Sequence, residues 1–341
     1  MLSGGSDSCA LCYVANELKS EGYFKNLAAL HVNHMLRGKD SDEDEEFSVS
    51  LCEYLNIPLY KVEIDIPSIQ KSQGGNLEAI CRDQRYGAAN EALQSLCQHC
   101  DKTKQFSINE GRLLCAHTLD DRAETFYMRS IVGTGPGGFQ SIKHTSGNVV
   151  RPLLDLSKEE LRNYILDLDK NNKAYKSNFY GKEELWREDK TNSDTTNFRS
   201  FVRHVILPKT KQANSSQLSC LRRSMDLISE EDDFMNEYCE NVANELIEID
   251  KPSKVAIISP EFAKEHVSVK KRCVFDVLKS FFPQSERVEN QSVLAVIEAF
   301  GVEKPKSGYV KNLQCDMIVS SNKNGARIEP VYAYRKRRNR V

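Results

Sequence analysis

Ser3-Gly4-Gly5-Ser6-Asp7-Ser8 is the stretch whose reading decides the fold of this 341-residue chain. Two adjacent glycines let a backbone turn tightly and approach a ligand closely. The apolar residues that follow, Cys9, Ala10, Leu11, Tyr13, Val14 and Leu18, read as a helix entered from the loop. A helix start offers unpaired N–H groups and the positive end of the helix dipole, which suits phosphate. The stretch lacks the Gly-Lys-Ser/Thr ending of the common NTPase loop, so a plain small-residue turn competes with the phosphate reading.

In parallel α/β sheets such a loop follows a buried strand, yet only Met1 and Leu2 stand before it. Either the start of the sequence is placed too late or a central strand is missing. The first is favoured, because loss of an interior strand would expose two sheet edges. Length allows two domains, with 40% hydrophobic and 28% charged residues, as in ordinary globular chains. No apolar run is long enough to span a membrane, and no apolar leader opens the chain. Eleven scattered cysteines, an odd number, argue against a disulfide framework and for a reducing cytoplasm. Net charge is only −2, so any RNA contact must come from local basic patches.

Residues 26–33 (NLAALHVN) have the near-continuous apolar character of a buried parallel strand. His31, Asn33, His34 and Arg37 fall at its C-terminal end, where open sheets bind ligands, and Arg37 is favoured over a core-like His31. The acidic run 40–46 reads as a solvated helix start rather than a metal site. A strand follows at 59–64, then a helix at 76–95 with Asn76 as its N-cap. Arg82 and Arg85, three apart, share one face of that helix; they are either a clamp for phosphate or RNA, or two solvated cations. Cys97-Gln98-His99-Cys100 is at most half of a zinc site. After a short strand at 113–116 come His117, Asp120, Asp121, Glu124 and Thr125. Asp121 and Glu124 point the same way from a helix, as a receptor for an amine or merely as dipole partners. Residues 133–138 form a glycine-rich helix stop, and Ser157 with Glu160 a capping box for a helix at 158–168. Arg151 reads equally as a substrate contact or a surface residue. Arg199, Arg203, Lys209 and Lys211 are candidates for RNA-backbone contact, and a domain boundary is expected near 212. Beyond it, helices are expected at 217–248, 270–282 and 290–300, then strands at 309–319 and 326–334 joined as a hairpin. The basic cluster 335–340 is a solubilising end or, where the substrate is RNA, an arm for its backbone.

In this order SGGSDS, HVNHMLRG (31–38), NLEAICRDQRYGA (76–88), AHTLDDRAET (116–125), GTGPGGF (133–139) and RPLLDLSKEEL (151–161) resemble the tRNA(Ile)-lysidine synthetase family of PP-loop ATP pyrophosphatases. SGGxDS alone marks the wider group, which includes tRNA thiolases; its combination with HxxDDxAET and RPLL is far more specific. The resemblance implies a parallel-sheet α/β PP-loop (adenine nucleotide α-hydrolase-like) domain over 1–212 and a smaller, mostly helical domain over 213–341 that ends in a β-hairpin and binds tRNA. It implies ligation of lysine to C2 of the wobble cytidine of a CAU anticodon, through an adenylated cytidine, with release of pyrophosphate and AMP. Ser3, Gly4, Gly5, Ser6, Asp7, Ser8, Arg37 and Arg82 would bind ATP, and Asp7 would also orient Mg2+. His117, Asp121 and Glu124 would join Asp7 in catalysis, while Arg85, Asp120, Arg151, Arg199 and Arg203 would meet substrate or tRNA. The partners implied are tRNA(Ile) and free L-lysine, with homodimer formation left open. Thr118, Leu119 and Arg122 depart from the family pattern, and Arg122 would add a positive charge beside the amine site. The alternatives are a PP-loop tRNA thiolase using Cys97 and Cys100 or Cys81, and an inactive RNA-binding remnant.

Overall fold

A computed structural model of the chain describes residues 1–36, 38–99, 110–179, 182–188, 197–283 and 285–338. The chain divides into two compact units, Met1–Ile228 and Ser229–Val341. The first begins with α1 (Ser6–Ser20), β1 (Ala29–Asn33), α2 (Lys39–Leu55), β2 (Leu59–Glu63), α3 (Ile66–Gln73) and α4 (Leu77–His99). It continues through β3 (Leu113–Leu114), α5 (Leu119–Val132), α6 (Pro136–Phe139), β4 (Thr145–Ser146), β5 (Val149–Val150) and α7 (Lys158–Lys170). The antiparallel pair β6 (Ser177–Phe179) and β7 (Lys182–Glu184) follows, then α8 (Phe198–Phe201), a π turn over Val202–Ile206, and α9 (Leu207–Ala213). The division between units falls within α10 (Gln217–Leu246), not in the polar stretch before it.

β1 is buried along almost its whole length and pairs in parallel with β2, Ala29 opposite Leu59 through Asn33 opposite Glu63. β3 pairs in parallel with β5, which pairs antiparallel with β4. Between β1 and β3 stand Met1 and Leu2. The Leu2 N–H donates to the Leu30 carbonyl at 2.8 Å and the Met1 amino group to the Leu114 carbonyl at 2.9 Å. Met1 and Leu2 thus lie where a strand ahead of the glycine loop is expected, bonded to β1 on one side and to β3 on the other. Beside it lies an apolar cavity of about 540 Å³, lined by Leu11 and Cys12 of α1, Leu30 of β1, Leu93 and Cys97 of α4, and Leu113 of β3. On the other face α1 packs with α2 and α7 through Cys9, Phe47, Leu51 and Ile165, all essentially inaccessible. Burial of such side chains stabilises the unit by about 1.5–3 kcal/mol each, and it fixes where α7 begins relative to the glycine loop.

Local signals hold where they were strong. The Asn76 side chain accepts the Ala79 N–H at 3.1 Å, and Ser157 and Glu160 form the expected reciprocal cap. Asn56 ends α2 in the left-handed region, with φ 53°. Among the described residues no helix is long and apolar enough to cross a membrane, and the described cysteines are free thiols.

The second unit contains β8 (Ile247–Asp250), β9 (Val255–Ile258), a 3-10 turn over Pro260–Lys264, α11 (Val267–Phe281) and α12 (Asn290–Glu298). It closes with β10 (Val310–Asn312), β11 (Met317–Asn322), β12 (Gly325–Pro330) and α13 (Val331–Arg338). A hairpin, β11–β12, forms in the expected region, but the strand expected over 309–319 is two, β10 and β11, paired antiparallel. The hairpin lies within a five-stranded antiparallel sheet in the order β10-β11-β12-β9-β8. Gly325, at φ 122°, lies so close to the Ile258 carbonyl that a β-carbon would collide with it. The last expected strand stops at Pro330, and the described part of the basic run, residues 335–338, is helical, with Arg337 paired to the buried Glu329.

Candidate active site

The glycine loop is built as its residues require. Gly4 sits at φ +83°, where a side chain would be strained and would press on Arg187. Ser8 turns back to donate to the Gly5 carbonyl at 2.9 Å and accepts the Ser3 N–H at 3.2 Å. Ser6 donates to the Asp7 carboxylate at 3.1 Å. Gly5 is the N-cap of α1 and no side chain caps the helix. Its first turn is thus available to an anion, with the dipole favouring negative charge. These features fit the phosphates of a nucleotide. Magnesium keeps most of its coordination from water and phosphate and needs one or two carboxylates, so Asp7 suits it.

Across from the loop, α5 starts at Leu119 with Thr118 as cap, and Asp121 Oδ2 accepts the Thr118 N–H at 2.9 Å. That capping box aims Asp121 Oδ1 outward. Lys158, the first residue of α7, places its ammonium 3.7 Å from Asp121 Oδ1 and 3.8 Å from Asp7 Oδ2. Asp7 and Asp121 thus share one cation, and loop and acidic helix form a single site. Asp120 accepts the Lys158 backbone N–H at 2.8 Å and ties the starts of α5 and α7 together. Glu124, 1% exposed, has both oxygens taken by arginines: Arg199 Nε at 2.8 Å, Arg203 Nε at 2.6 Å and Arg203 Nη2 at 3.0 Å. Arg199 also reaches Asp121 Oδ1 at 3.1 Å. The two arginines expected to stand open to RNA instead neutralise the acidic pair.

The two aspartates titrate in opposite directions. Burial raises the Asp7 carboxyl, with Asp121 adding to the rise and Lys158 opposing it. Burial also acts to raise Asp121, but Lys158, Arg199, the Thr118 N–H and His117 outweigh it and hold that carboxyl below its usual range. Carboxylates driven apart in this way suit different roles in one site. His117 is pushed down to about 4 by burial, helped by Arg151, Arg199 and Arg82 against Asp121, and its buried Nδ1 has no partner among the described residues. The ring is therefore neutral near pH 7.

Other expected residues are distributed unevenly. Arg82 lies over the Tyr86 ring at 5.0 Å, and Arg85 reaches His34 Nε2 at 3.3 Å at the end of β1. Arg37 lies outside the described residues. Arg151 is 6% exposed and donates to the Lys143 carbonyl, so its charge reaches the site from beneath, through His117, and not from the surface. His31 is a satisfied core histidine, its Nδ1 3.1 Å from both the Leu2 carbonyl and the Ser48 hydroxyl. Arg122 corrects an expectation: it turns away from the amine site to Asp155 at 3.2 Å and Asp226 at 2.8 Å, so its charge is spent elsewhere. The acidic run of α2 is also less solvated than expected. Glu43 and Asp44 are each 13% exposed and pair with Arg187, whose own N–H donates to the Gly4 carbonyl at 2.8 Å.

Of the thiols a thiolase would need, Cys81 and Cys97 are buried and Cys100 lies outside the described residues. Burial raises the Cys81 thiol, which disfavours the nucleophilic thiolate. No cluster of three metal-ligating side chains occurs among the described residues. Sequence reasoning missed Lys158 and Arg187. Lys158 carried a signal, since a cation at the first position of a helix opposes the dipole and invites another explanation. Arg187, in an irregular polar stretch, carried none.

The chain is 30% identical over 274 residues to the tRNA(Ile)-lysidine synthase of Caldanaerobacter subterraneus subsp. tengcongensis, covering 80% of this chain and 53% of that protein. It is 32% identical over 246 residues to the tRNA(Ile)-lysidine synthase of Porphyromonas gingivalis strain ATCC 33277, covering 72% and 47%. The chain thus spans about half the length of these curated relatives. Among solved structures it is similar to the U34-tRNA thiolase NcsA from Methanococcus maripaludis with its 4Fe–4S cluster, at TM-score 0.47 and 20% identity, covering 67% of this chain and 71% of that one. Residues 1–210, well over half of the chain, match the PP-loop domain, and the chain belongs to that family.

Proposed function

We propose that the chain is an ATP-dependent ligase that joins lysine to C2 of the wobble cytidine in the CAU anticodon of tRNA(Ile). The observation that carries this reading is the single ammonium of Lys158 lying within 4 Å of both Asp7 and Asp121. A phosphate cradle and an acidic receptor for an amine stand side by side. The names of the relatives, tRNA(Ile)-lysidine synthase, support the same substrate.

The cytidine C2 oxygen attacks the α-phosphorus of ATP and pyrophosphate leaves. The lysine ε-amine then attacks C2, loses a proton, and the C2–O bond breaks to release AMP. The uncapped start of α1 stabilises charge building on the leaving pyrophosphate. Asp7 would hold magnesium, which when bound neutralises phosphate oxygens. Asp121 orients the amine, with Glu124 and its two arginines fixing the wall behind it. Neutral His117, whose buried Nδ1 has no partner among the described residues, offers that lone pair as a hydrogen-bond acceptor to the amine. Arg82 and Arg85 lie exposed at the rim for phosphate or RNA, and the cations of α13 beside exposed Tyr332 suit an RNA backbone. The cytoplasm, where tRNA and ATP meet, is the expected setting.

The test is incubation of the full chain with tRNA(Ile) transcript, ATP and labelled lysine. Label should enter the tRNA only with a CAU anticodon, and Asp7→Ala should abolish its entry. Protein that binds ATP and transcript yet transfers no lysine would overturn the reading.

A further inference from the structure

The charges of the site balance without any ligand. Asp7, Asp121 and Glu124 face Lys158, Arg199 and Arg203. An incoming ammonium therefore finds its carboxylates already paired and gains little by displacing one cation with another. The six groups are not held equally. The arginine contacts on Asp121 and Glu124 are hydrogen bonds of 2.6–3.1 Å, in a fork geometry that resists movement. Lys158 touches its two aspartates only at 3.7 and 3.8 Å, too long for hydrogen bonds. Its backbone is pinned by Asp120 and by the Ser157–Glu160 cap, whereas its ammonium rides on a flexible stem and is 28% exposed.

Resting on the ligase reading above, we propose that Lys158 is the exchangeable cation that couples the two small substrates. Nucleotide phosphates at the Gly4–Gly5 loop draw its ammonium off Asp121, and Oδ1, which keeps its bond to Arg199, receives the lysine amine on the side Lys158 has left. Nucleotide and amine then bind cooperatively, and the amine site stays covered until ATP is present. Lys158 meets phosphate directly and acts on the amine by uncovering Asp121. No bond forms or breaks in the exchange; one ion pair replaces another.

Calorimetric titration of L-lysine into the full chain, with and without magnesium and α,β-methylene-ATP, tests this. The parent protein should bind lysine about tenfold more tightly with the nucleotide analogue, within the usual range of site coupling. Lys158→Met should bind lysine more tightly than the parent does without nucleotide, and coupling should fall to about threefold or less. Lys158→Arg should restore part of it. A residue with a purely structural role would lower both affinities together, and that result would overturn the proposal. So would unchanged coupling in Lys158→Met, with the fluorescence of Trp186 confirming a folded unit. Absence of any lysine binding in the parent, with nucleotide still bound, would remove the ligase reading itself; bound but uncoupled lysine would remove only this inference.

Discussion

Acidification from about pH 7.5 to about pH 5 should destabilise the first unit through His117. The ring is pushed from its ordinary 6.5 down to about 4, first by burial and then by Arg151, Arg199 and Arg82, with Asp121 opposing. The unfolded chain therefore takes up a proton that the folded chain refuses. Stability is lost as pH falls through 6.5, and the loss is complete near 4. Proton linkage with these two values withdraws about 2 kcal/mol at about pH 5, and nearer to about 1 where water reaches part of the ring. His117→Gln removes the titration and keeps a polar side chain. Urea unfolding followed by the one tryptophan, Trp186, reads the first unit alone. The parent should lose about 1–2 kcal/mol more than His117→Gln between the two pH values. His34, also lowered to about 4 by burial and Arg85, remains in both proteins and cancels in the difference. Parallel curves for the two proteins would refute the reasoning.

Two further outcomes follow from the geometry. Gly4→Ala should cost about 1–2 kcal/mol, because its φ of +83° is strained for alanine, whereas Gly5→Ala, at φ −71° with only an ordinary contact to Ser3 Oγ, should stay within about 0.5 kcal/mol; paired urea melts decide it, and equal losses would contradict the loop geometry. Arg122→Met should lower stability by about 1–3 kcal/mol, towards the smaller figure because Asp155 and Asp226 are nearly half exposed and rehydrate. The same variant should leave lysine affinity unchanged, and a large change measured by titration would place the Arg122 charge back in the site.

The chain by itself determined the parts that depend on neighbours a few residues away. Glycines at a positive φ, a capping box at Ser157 and Glu160, an N-cap at Asn76 and the buried run of β1 all act within one turn or one strand. So the loop at residues 3–8 and the acidic helix start at 118–124 were legible, as was the common rim they occupy. Tertiary structure alone decided which charges meet. Arg199 and Arg203 reach Glu124 across 75 and 79 residues, Arg122 reaches Asp226 across 104, and Arg187 reaches Glu43 across 144. An arginine carries no local mark of its partner, because its long side chain is satisfied by whichever carboxylate the fold delivers. The strands β8 and β9 were hidden for a related reason: β9, four residues long, draws its stability from pairing with β12, about seventy residues onward, and the edge strand β8 rests on β9 in turn. Lys158 belongs to both groups. Its place at the head of α7 was written in the chain, but the two aspartates it covers were brought to it by the packing of α7 on α1.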